Sequence, residues 1–382
     1  MKEITEQILS GDGIAIHSNQ HFYFMRPLFE HMGFPDEWVP LIVRFLEILA
    51  TQAKEYYEIL REYEPNYEEL YYLARQISDA ESWEYPNPAV MNFVEQCKRD
   101  PRIQEALCGS CHFLGRKYSL GEIAKKTCSY IQDNVQEMLG GEPGNLTSLH
   151  FLEPLITHPS VAACHLFTLN HDIYLERVLN DAGIPFADGF TKINQSLQQW
   201  EMESYDRFKG KVKVYKLHGS VNWRHIVASD NEYFLGKYDA SNARYPVDSQ
   251  GRKVLPVPVG GAEFLVGTTN KMHNYLYAEY LQLMMRFFEV LNESTCLIIS
   301  GYGFGDRGIT ARIDEWFEGN SENRIVLIHK HPENVLAKGQ SRLFWQWSNH
   351  VKKGRIILIK KWIEEITDED VLVHLHDESG CR

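Results

Sequence analysis

The sequence predicts an α/β fold in which helices cover both faces of a doubly wound parallel sheet, together with a large helical insertion. Three observations lead to this prediction. After residue 150, short apolar runs alternate with helical segments. Most of these runs are continuous rather than alternating, which is typical of strands that are buried on both faces. Each run ends in a polar or glycine-rich turn, as the strands of a Rossmann-like domain do at the edge where ligands bind.

Length and composition define the class of protein. The chain has 382 residues, of which 44% are hydrophobic and 24% charged, so it is globular and large enough for more than one domain. Its net charge of -13 disfavours a general affinity for nucleic acid or anionic lipid, so we expect small molecules or proteins as partners. No stretch reaches the roughly 20 apolar residues of a membrane span. The start, MKEITEQILSGDG, lacks the layout of a signal peptide, so we expect a cytoplasmic protein.

The cysteines predict reduced thiols. Seven of them, an odd number, favour free thiols over a disulfide framework. Cys108 to His112 read CGSCH, which matches half of a four-cysteine zinc site and the short haem-attachment pattern. A second Cys-x-x-Cys pair is absent from the sequence, so we expect neither metal nor haem.

The N-terminal part of the chain predicts a helical block. Apolar residues such as Val43, Leu46 and Leu49 recur among charges at near-helical spacing. Tyrosine and glutamate are frequent there, and the surface left outside the core is a candidate contact for another subunit. We therefore predict a first strand and loop of the Rossmann-like domain in residues 1–35, a helical insertion domain in 36–149, the main Rossmann-like domain in 150–335, and a C-terminal strand and tail in 336–382.

Five apolar runs predict the strands of the sheet. A helix follows most of them, and its apolar residues fall on one face, as Leu175, Val178 and Leu179 do after the first run. The runs are CHLFTL (164–169), VKVYKL (212–217), TCLIIS (295–300), RIVLI (324–328) and RIILI in the tail.

Polar groups follow four of these runs. Asn170-His171-Asp172, His218-Gly219-Ser220, Gly301 to Asp306, and His329 come after successive strands. Each group alone is also explained by a turn or a helix N-cap. Together they favour a nucleotide site, because glycines between a strand and a helix let a phosphate approach backbone amides and the helix dipole.

Four segments carry a specific resemblance: FTLNHDIYLE, VYKLHGSVNW, FLVGTTNKMHNYLYAEYL and LIISGYGFGDRGI. In this order they resemble the sirtuin-like NAD-consuming family, in its bacterial antiviral-defence branch, over roughly residues 160–330. The resemblance implies that Asn170, Asp172 and His218 are catalytic and that NAD is the substrate. It further implies NAD contacts at Gly11, Gly13, Thr168, Gly219, Ser300, Gly301, Gly303, Gly305, Asp306 and His329.

The resemblance also implies a reaction. His218 would accept a proton from a ribose hydroxyl or from water, Asn170 would orient that water, and Asp172 would brace the loop. The turn from Gly301 to Gly305 would lie against the adenosine half. The implied activity is NAD hydrolysis to nicotinamide and ADP-ribose, which would deplete NAD in an abortive defence against phage. Homo-oligomers and a HerA-type hexameric ATPase are the implied partners. A catalytically silent sensor of NAD or ADP-ribose, and an NAD-dependent deacylase or ADP-ribosyl transferase, are the alternatives.

Two departures from the family pattern bear on these alternatives. The pyrophosphate loop is either a degenerate Ser10-Gly11-Asp12-Gly13, or it is replaced by Ser18-Asn19-Gln20 after a strand at 13–17. An aspartate near a pyrophosphate is unfavourable, which favours the sensor. The zinc module of protein-deacetylating sirtuins is missing, which disfavours acyl-lysine chemistry.

Overall fold

The computed structural model divides into two compact units, and each consists of several chain segments. The first unit comprises Met1–Gly141, Lys192–Gln198 and Val221–Lys271, and the second comprises Glu142–Thr191, Gln199–Ser220 and Met272–Arg382. The domain boundaries expected from the sequence stay a prediction. The structure describes residues 1–11, 38–57, 63–82, 86–109, 117–141, 146–193, 197–228, 233–238, 250, 254–256, 262–268, 271–338 and 342–375.

The first unit is built mainly of helices. Asn66 and Ser119 each begin a helix with a capping box, in which a glutamate three residues later bonds back to the cap. Leu46 and Leu49, which the spacing placed on the apolar face, are fully buried. The strand expected at 13–17 lies outside the described residues. The helices are α1 (Lys2–Ser10), α2 (Trp38–Tyr56), α3 (Tyr67–Glu81), α4 (Met91–Arg99), α5 (Pro101–Cys108) and α6 (Leu120–Gly140).

The second unit contributes the remaining helices. Those that follow the predicted strands bury the expected faces: Val178 and Leu179 after the first strand, and Ile313 and Phe317 after the glycine-rich turn. The helices are α7 (Leu152–Thr157), α8 (Tyr174–Asp181), α9 (Ser204–Arg207), α10 (Lys271–Asn274, which begins at the unit boundary), α11 (Ala278–Glu293), α12 (Arg307–Gly319), α13 (Pro332–Lys338), α14 (Arg342–Trp345), α15 (Trp347–Lys352) and α16 (Asp368–Leu375).

Five of the described strands agree closely with the apolar runs of the sequence, and the others were not predicted. The strands are β1 (Cys164–Thr168), β2 (Phe186–Ala187), β3 (Phe190–Lys192), β4 (Leu197–Trp200), β5 (Val212–Lys216), β6 (Trp223–Ala228), β7 (Tyr233–Tyr238), β8 (Val254–Pro256), β9 (Cys296–Ser300), β10 (Arg324–Ile328) and β11 (Ile356–Ile359).

Parallel pairing joins the strands of the second unit. They form a sheet in the order β1-β5-β2 and a sheet in the order β11-β10-β9. Val214 of β5 and Val326 of β10 belong to the same buried apolar cluster. On the opposite face of β1, Phe167 packs edge-on against Phe287 of α11, with ring centroids 4.9 Å apart. Apolar cover on both faces of the strands confirms the predicted α/β fold with parallel sheets.

The other strands pair differently. β6 pairs antiparallel with β7 and β8, within a five-stranded sheet in the order β3-β4-β7-β6-β8. Ile226 of β6 and Leu197 of β4 form a small buried cluster. Among the described helices none is long and apolar enough to cross a membrane.

Candidate active site

The carboxyl ends of β1 and β5 lie side by side in the second unit. The two strands are in parallel register, with Thr168 opposite Lys216, and the Leu217 amide donates to the Thr168 carbonyl at 3.0 Å. Beyond the strands, the Ser220 hydroxyl donates to the His171 carbonyl at 3.1 Å. The structure therefore brings together two of the polar segments that the sequence assigned to one site.

His218 is buried at the end of β5 and hydrogen-bonds through Nε2. Only 4% of the residue is exposed. Nε2 lies 2.5 Å from the hydroxyl oxygen of Tyr275 and 3.0 Å from Oδ2 of Asp306. The Tyr275 hydroxyl donates to the same Oδ2 at 2.6 Å. Imidazole, phenol and carboxyl group thus form a closed triangle of short contacts.

Asp306 has a role that the sequence did not predict. Its Oδ1 accepts from the Ile309 amide at 3.0 Å and caps the N-terminus of α12, while Oδ2 faces His218. Burial would raise the pKa of Asp306, but the hydrogen bond and the positive charge of His218, together with bonds from Tyr275 and the Ile309 amide, lower it to about 2. The carboxyl group is therefore charged at neutral pH. The expected contact of Asp306 with the cofactor stays a prediction.

The loop after β1 holds the other predicted catalytic residues. Oγ1 of Thr168 accepts from the Asn170 amide at 3.1 Å, and Oδ1 of Asp172 accepts from the Tyr174 amide at 2.9 Å. These two side chains shape the turn that leads into α8, and the catalytic role expected of Asp172 stays a prediction. Asn170 is exposed, so it can reach a ligand.

A buried ion pair contacts the backbone of this loop. Lys216, at the end of β5, places its ammonium 3.3 Å from Oε1 of Glu176 in α8 and donates to the backbone carbonyl of Asp172. Both side chains are at least nine-tenths buried. The sequence did not predict this pair, although a lysine at the end of a strand that is expected to be buried is an unusual signal that could have indicated it.

The glycine-rich turn follows β9, which ends at Ser300. Gly301 has φ 66, a left-handed conformation that favours glycine. Gly303 and Gly305 are not left-handed, and a Cβ at either position would meet no protein atom within 4 Å. The protein's own packing therefore does not require glycine at these two positions.

The remaining predicted NAD contacts have structural explanations of their own. His329 follows β10, and its Nδ1 accepts from the His331 amide at 2.9 Å. Gly219 is buried with φ 74, and Gly11 ends α1 with φ 76. Gly13 lies outside the described residues. The cofactor roles assigned to these residues stay predictions.

The candidate metal residues are only partly described. Cys108 is exposed at the end of α5, whereas Cys111 and His112 lie outside the described ranges. Within those ranges no group of three or more histidine, cysteine, aspartate or glutamate side chains could hold a metal ion. The expected absence of metal and haem stays a prediction.

Comparison with known proteins bears on the second half of the chain. Residues 165–351 match the family model of the SIR2-like domain, which supports a sirtuin-like family for this segment. No curated protein matches the sequence.

Solved structures of Sir2 proteins are similar to the chain at low identity. A mutant Sir2 homologue in complex with ADP-ribose is 14% identical with a TM-score of 0.35, and the match covers 68% of this chain and 80% of that chain. A Sir2 mutant with a deacetylated p53 peptide and 3′-O-acetyl ADP-ribose is 11% identical with a TM-score of 0.32, over 68% and 80% of the two chains. Sir2 bound to an acetylated peptide is 12% identical with a TM-score of 0.32, over 71% and 90%.

Proposed function

We propose that this chain is an NAD hydrolase that breaks the bond between nicotinamide and ribose. The observation that supports this most is His218, a buried histidine held by a charged carboxylate at the carboxyl end of a parallel strand. It lies in the segment that matches the SIR2-like domain, and such a domain suggests NAD-dependent activity of the sirtuin type.

The reaction places specific demands on the site. The bond between C1′ of the ribose and the nicotinamide nitrogen breaks, and its electron pair leaves with nicotinamide, which becomes neutral. Oxocarbenium-like positive charge develops on the ribose, so a water must be held on the opposite face. The water oxygen bonds to C1′, and one of its protons goes to a base. The products are nicotinamide, ADP-ribose and a proton.

The residues of the site can meet these demands. His218 is the proposed base, because an imidazole titrates near neutral pH and can take up the proton as charge develops. Asn170, exposed on the loop after β1, is proposed to orient the water and the ribose. Asp172 braces that loop through the Tyr174 amide. We propose that the turn from Gly301 to Gly305 contacts the adenosine half.

An enzyme that destroys a central cofactor must be restrained. We propose that the activity depletes NAD in defence against phage and that assembly controls it, either with copies of itself or with a HerA-type hexameric ATPase. The helical residues 36–149 are the proposed contact surface.

The experiment is an incubation of the purified protein with NAD, alone, with an acetyl-lysine peptide, and with the protein encoded by the neighbouring gene. Chromatography measures nicotinamide and ADP-ribose. Hydrolysis predicts equal amounts of both products without any peptide, and release that is slower by roughly a hundredfold or more with His218→Ala. Release that requires the peptide would instead identify a deacylase, and NAD binding without release under all conditions would identify a sensor.

A further inference from the structure

The carboxyl ends of β9, β10 and β11 lie along one edge of their sheet. The parallel register places Ser300 opposite Ile328, and Ile328 opposite Ile359. The chain stays at this edge just beyond the strands, where the His329 amide donates to the Ile359 carbonyl at 3.1 Å. In open parallel sheets, ligands bind outside the carboxyl ends of the strands. Side chains that follow β10 and β11 are therefore placed to contact a ligand that binds at the turn after β9.

Three aromatic rings meet at this edge. Trp362 follows β11, and His329 and His331 follow β10. The centroid of the indole lies 6.0 Å from that of His329 and 6.2 Å from that of His331, with edge-to-face ring orientations. Trp362 is still 46% exposed, although tryptophan is highly buried on average. An indole with a large accessible surface thus lies at the edge where this kind of sheet binds ligands.

Hydrogen bonds hold the backbone around this indole. The Trp362 amide donates to Oε2 of Glu365 at 2.9 Å, and the ammonium of Lys330 lies 3.1 Å from the same oxygen. On the neighbouring loop, Nδ1 of His329 accepts from the His331 amide at 2.9 Å. The loops after β10 and β11 are therefore joined through their side chains. A binding residue whose backbone is fixed in advance lowers the entropic cost of binding.

The charged side chains near the indole are paired in a way that favours an uncharged ligand group. Three ammonium groups each have a carboxylate partner, which offsets the positive charge that would attract a phosphate. Stacking on an indole requires only a flat π face. The three pairs are Lys330 with Glu365, Lys360 with Glu333, and Lys361 with Asp370.

We infer that Trp362 is the residue on which the adenine of NAD stacks. The identity of the ligand rests on the proposed function, and Trp362 adds a side-chain contact to the glycine-rich turn proposed for the adenosine half. Adenine is the uncharged planar group of NAD, whereas the pyrophosphate is anionic and the nicotinamide ring is cationic. Every base has a π face that an aromatic side chain can stack on.

This role has a kinetic consequence. The adenine is remote from the bond between nicotinamide and ribose, so its stacking is equally strong in the ground state and in the transition state. Such uniform binding lowers KM and does not raise kcat. Loss of the Trp362 indole should therefore raise KM for NAD and leave kcat nearly unchanged.

Binding of ADP-ribose tests the inference without catalysis. Calorimetry compares the wild type with Trp362→Ala and Trp362→Phe, with folding verified by thermal denaturation. We expect the Kd of ADP-ribose to rise by about tenfold in Trp362→Ala, the usual effect of removing an aromatic ring from a stacked base. Trp362→Phe should retain much of the affinity, because the phenyl ring keeps a π face.

Trp345→Ala is the matched control. Trp345 is 78% exposed and lies in α14, so this variant removes an accessible indole from another element of the same unit. Its Kd for ADP-ribose should equal that of the wild type. ADP-ribose should also quench indole fluorescence in the wild type and in Trp345→Ala, and less so in Trp362→Phe. An unchanged Kd in Trp362→Ala, equal weakening in Trp345→Ala, or a wild type that does not bind ADP-ribose would overturn the inference.

Kinetics with NAD separate this inference from the proposed function. In Trp362→Ala, KM for NAD should rise by about tenfold at nearly constant kcat, and a fall in kcat at constant KM would overturn the stacking role. If ADP-ribose binding depends on Trp362 but the wild type does not cleave NAD, the proposed hydrolysis fails and the stacking site stands. If NAD is cleaved and the Kd of ADP-ribose does not depend on Trp362, the stacking site fails and the proposed hydrolysis stands.

Discussion

Lys216 and Glu176 hold buried opposite charges beneath the loop that carries Asn170. Removing one partner of such a pair leaves the other charge buried without compensation, which costs about 3–5 kcal/mol. We predict losses of this size in the free energy of unfolding for Lys216→Met and for Glu176→Gln. The double variant should lose much less than the sum, because no uncompensated charge remains.

Urea denaturation measures these differences. Glu315→Gln is the control, since its exposed pair with Arg312 should contribute less than about 1 kcal/mol. Strictly additive losses in the double variant would mean that the two side chains do not interact in solution.

The lowered pKa of Asp306 makes the free energy of unfolding depend on pH. Its pKa is lowered from 3.8 to about 2 in the folded protein. A carboxyl group whose pKa is lower in the folded than in the unfolded protein stabilises the folded state at pH values above its unfolded pKa. This stabilisation is lost as the pH falls towards the folded pKa. We therefore predict that the difference in unfolding free energy between wild type and Asp306→Asn narrows by about 1 kcal/mol between pH 6 and pH 3. Urea titrations at several pH values measure it, and a constant difference would contradict the charged state of Asp306.

The turn after β9 offers a prediction at the level of a structural element. Alanine at Gly303 or Gly305 meets no protein atom within 4 Å, so stability should change by less than about 1 kcal/mol. If NAD approaches this turn closely, the added methyl groups should raise KM for NAD by about tenfold. This corresponds to a loss of about 1.4 kcal/mol of binding free energy. Gly301→Ala is the comparison: its φ of 66 makes alanine strained, so it should destabilise the fold by roughly 1–2 kcal/mol.

Thermal denaturation and steady-state kinetics on the three variants separate these effects. An unchanged KM in Gly303→Ala and Gly305→Ala would remove this turn from the NAD site.

The strands of the sheet could be predicted from the sequence because each is a local pattern. β9, β10 and β11 contain continuous apolar runs, and burial on both faces is the physical reason for that continuity, whereas two lysines interrupt the apolar residues of β5. The predicted strand at 13–17 lies outside the described residues.

The partners of His218 could not be predicted in the same way. Tyr275 lies 57 residues and Asp306 88 residues further along the chain, and no periodicity links residues at such separations. Asp306 was expected only as an NAD contact in a glycine-rich turn, because its bond to His218 depends on how β5 and α12 pack in three dimensions. The ion pair of Lys216 with Glu176 was missed for the same reason.

At the scale of the whole molecule, the described helices between residues 38 and 140 leave some apolar side chains exposed. Tyr56 is 77% exposed and Met91 45% exposed in the first unit. We predict that this surface contacts another chain, because exposed apolar groups cluster at interaction sites. Sedimentation should give a mass above the 44.4 kDa of one chain, alone or with the neighbour-encoded protein.

Substitutions that introduce a negative charge at exposed apolar positions locate the contact. Tyr56→Glu and Met91→Glu should reduce the mass, whereas Tyr277→Glu and Met285→Glu, at exposed positions of the second unit, should not. If only Tyr277→Glu and Met285→Glu reduced the mass, the contact would not lie on the helical residues. A monomer under all conditions would contradict the assembly itself.

The central claim is that His218 and Asn170 act on one reaction, the cleavage of NAD. The most direct measurement is the rate of nicotinamide release by wild type, Asn170→Ala, His218→Ala and the double variant, with folded protein verified by thermal denaturation. We predict that each single change lowers kcat by roughly a hundredfold or more, and that the double change adds little, because both groups stabilise the same transition state. Undiminished release of nicotinamide by a folded His218→Ala protein would contradict the account.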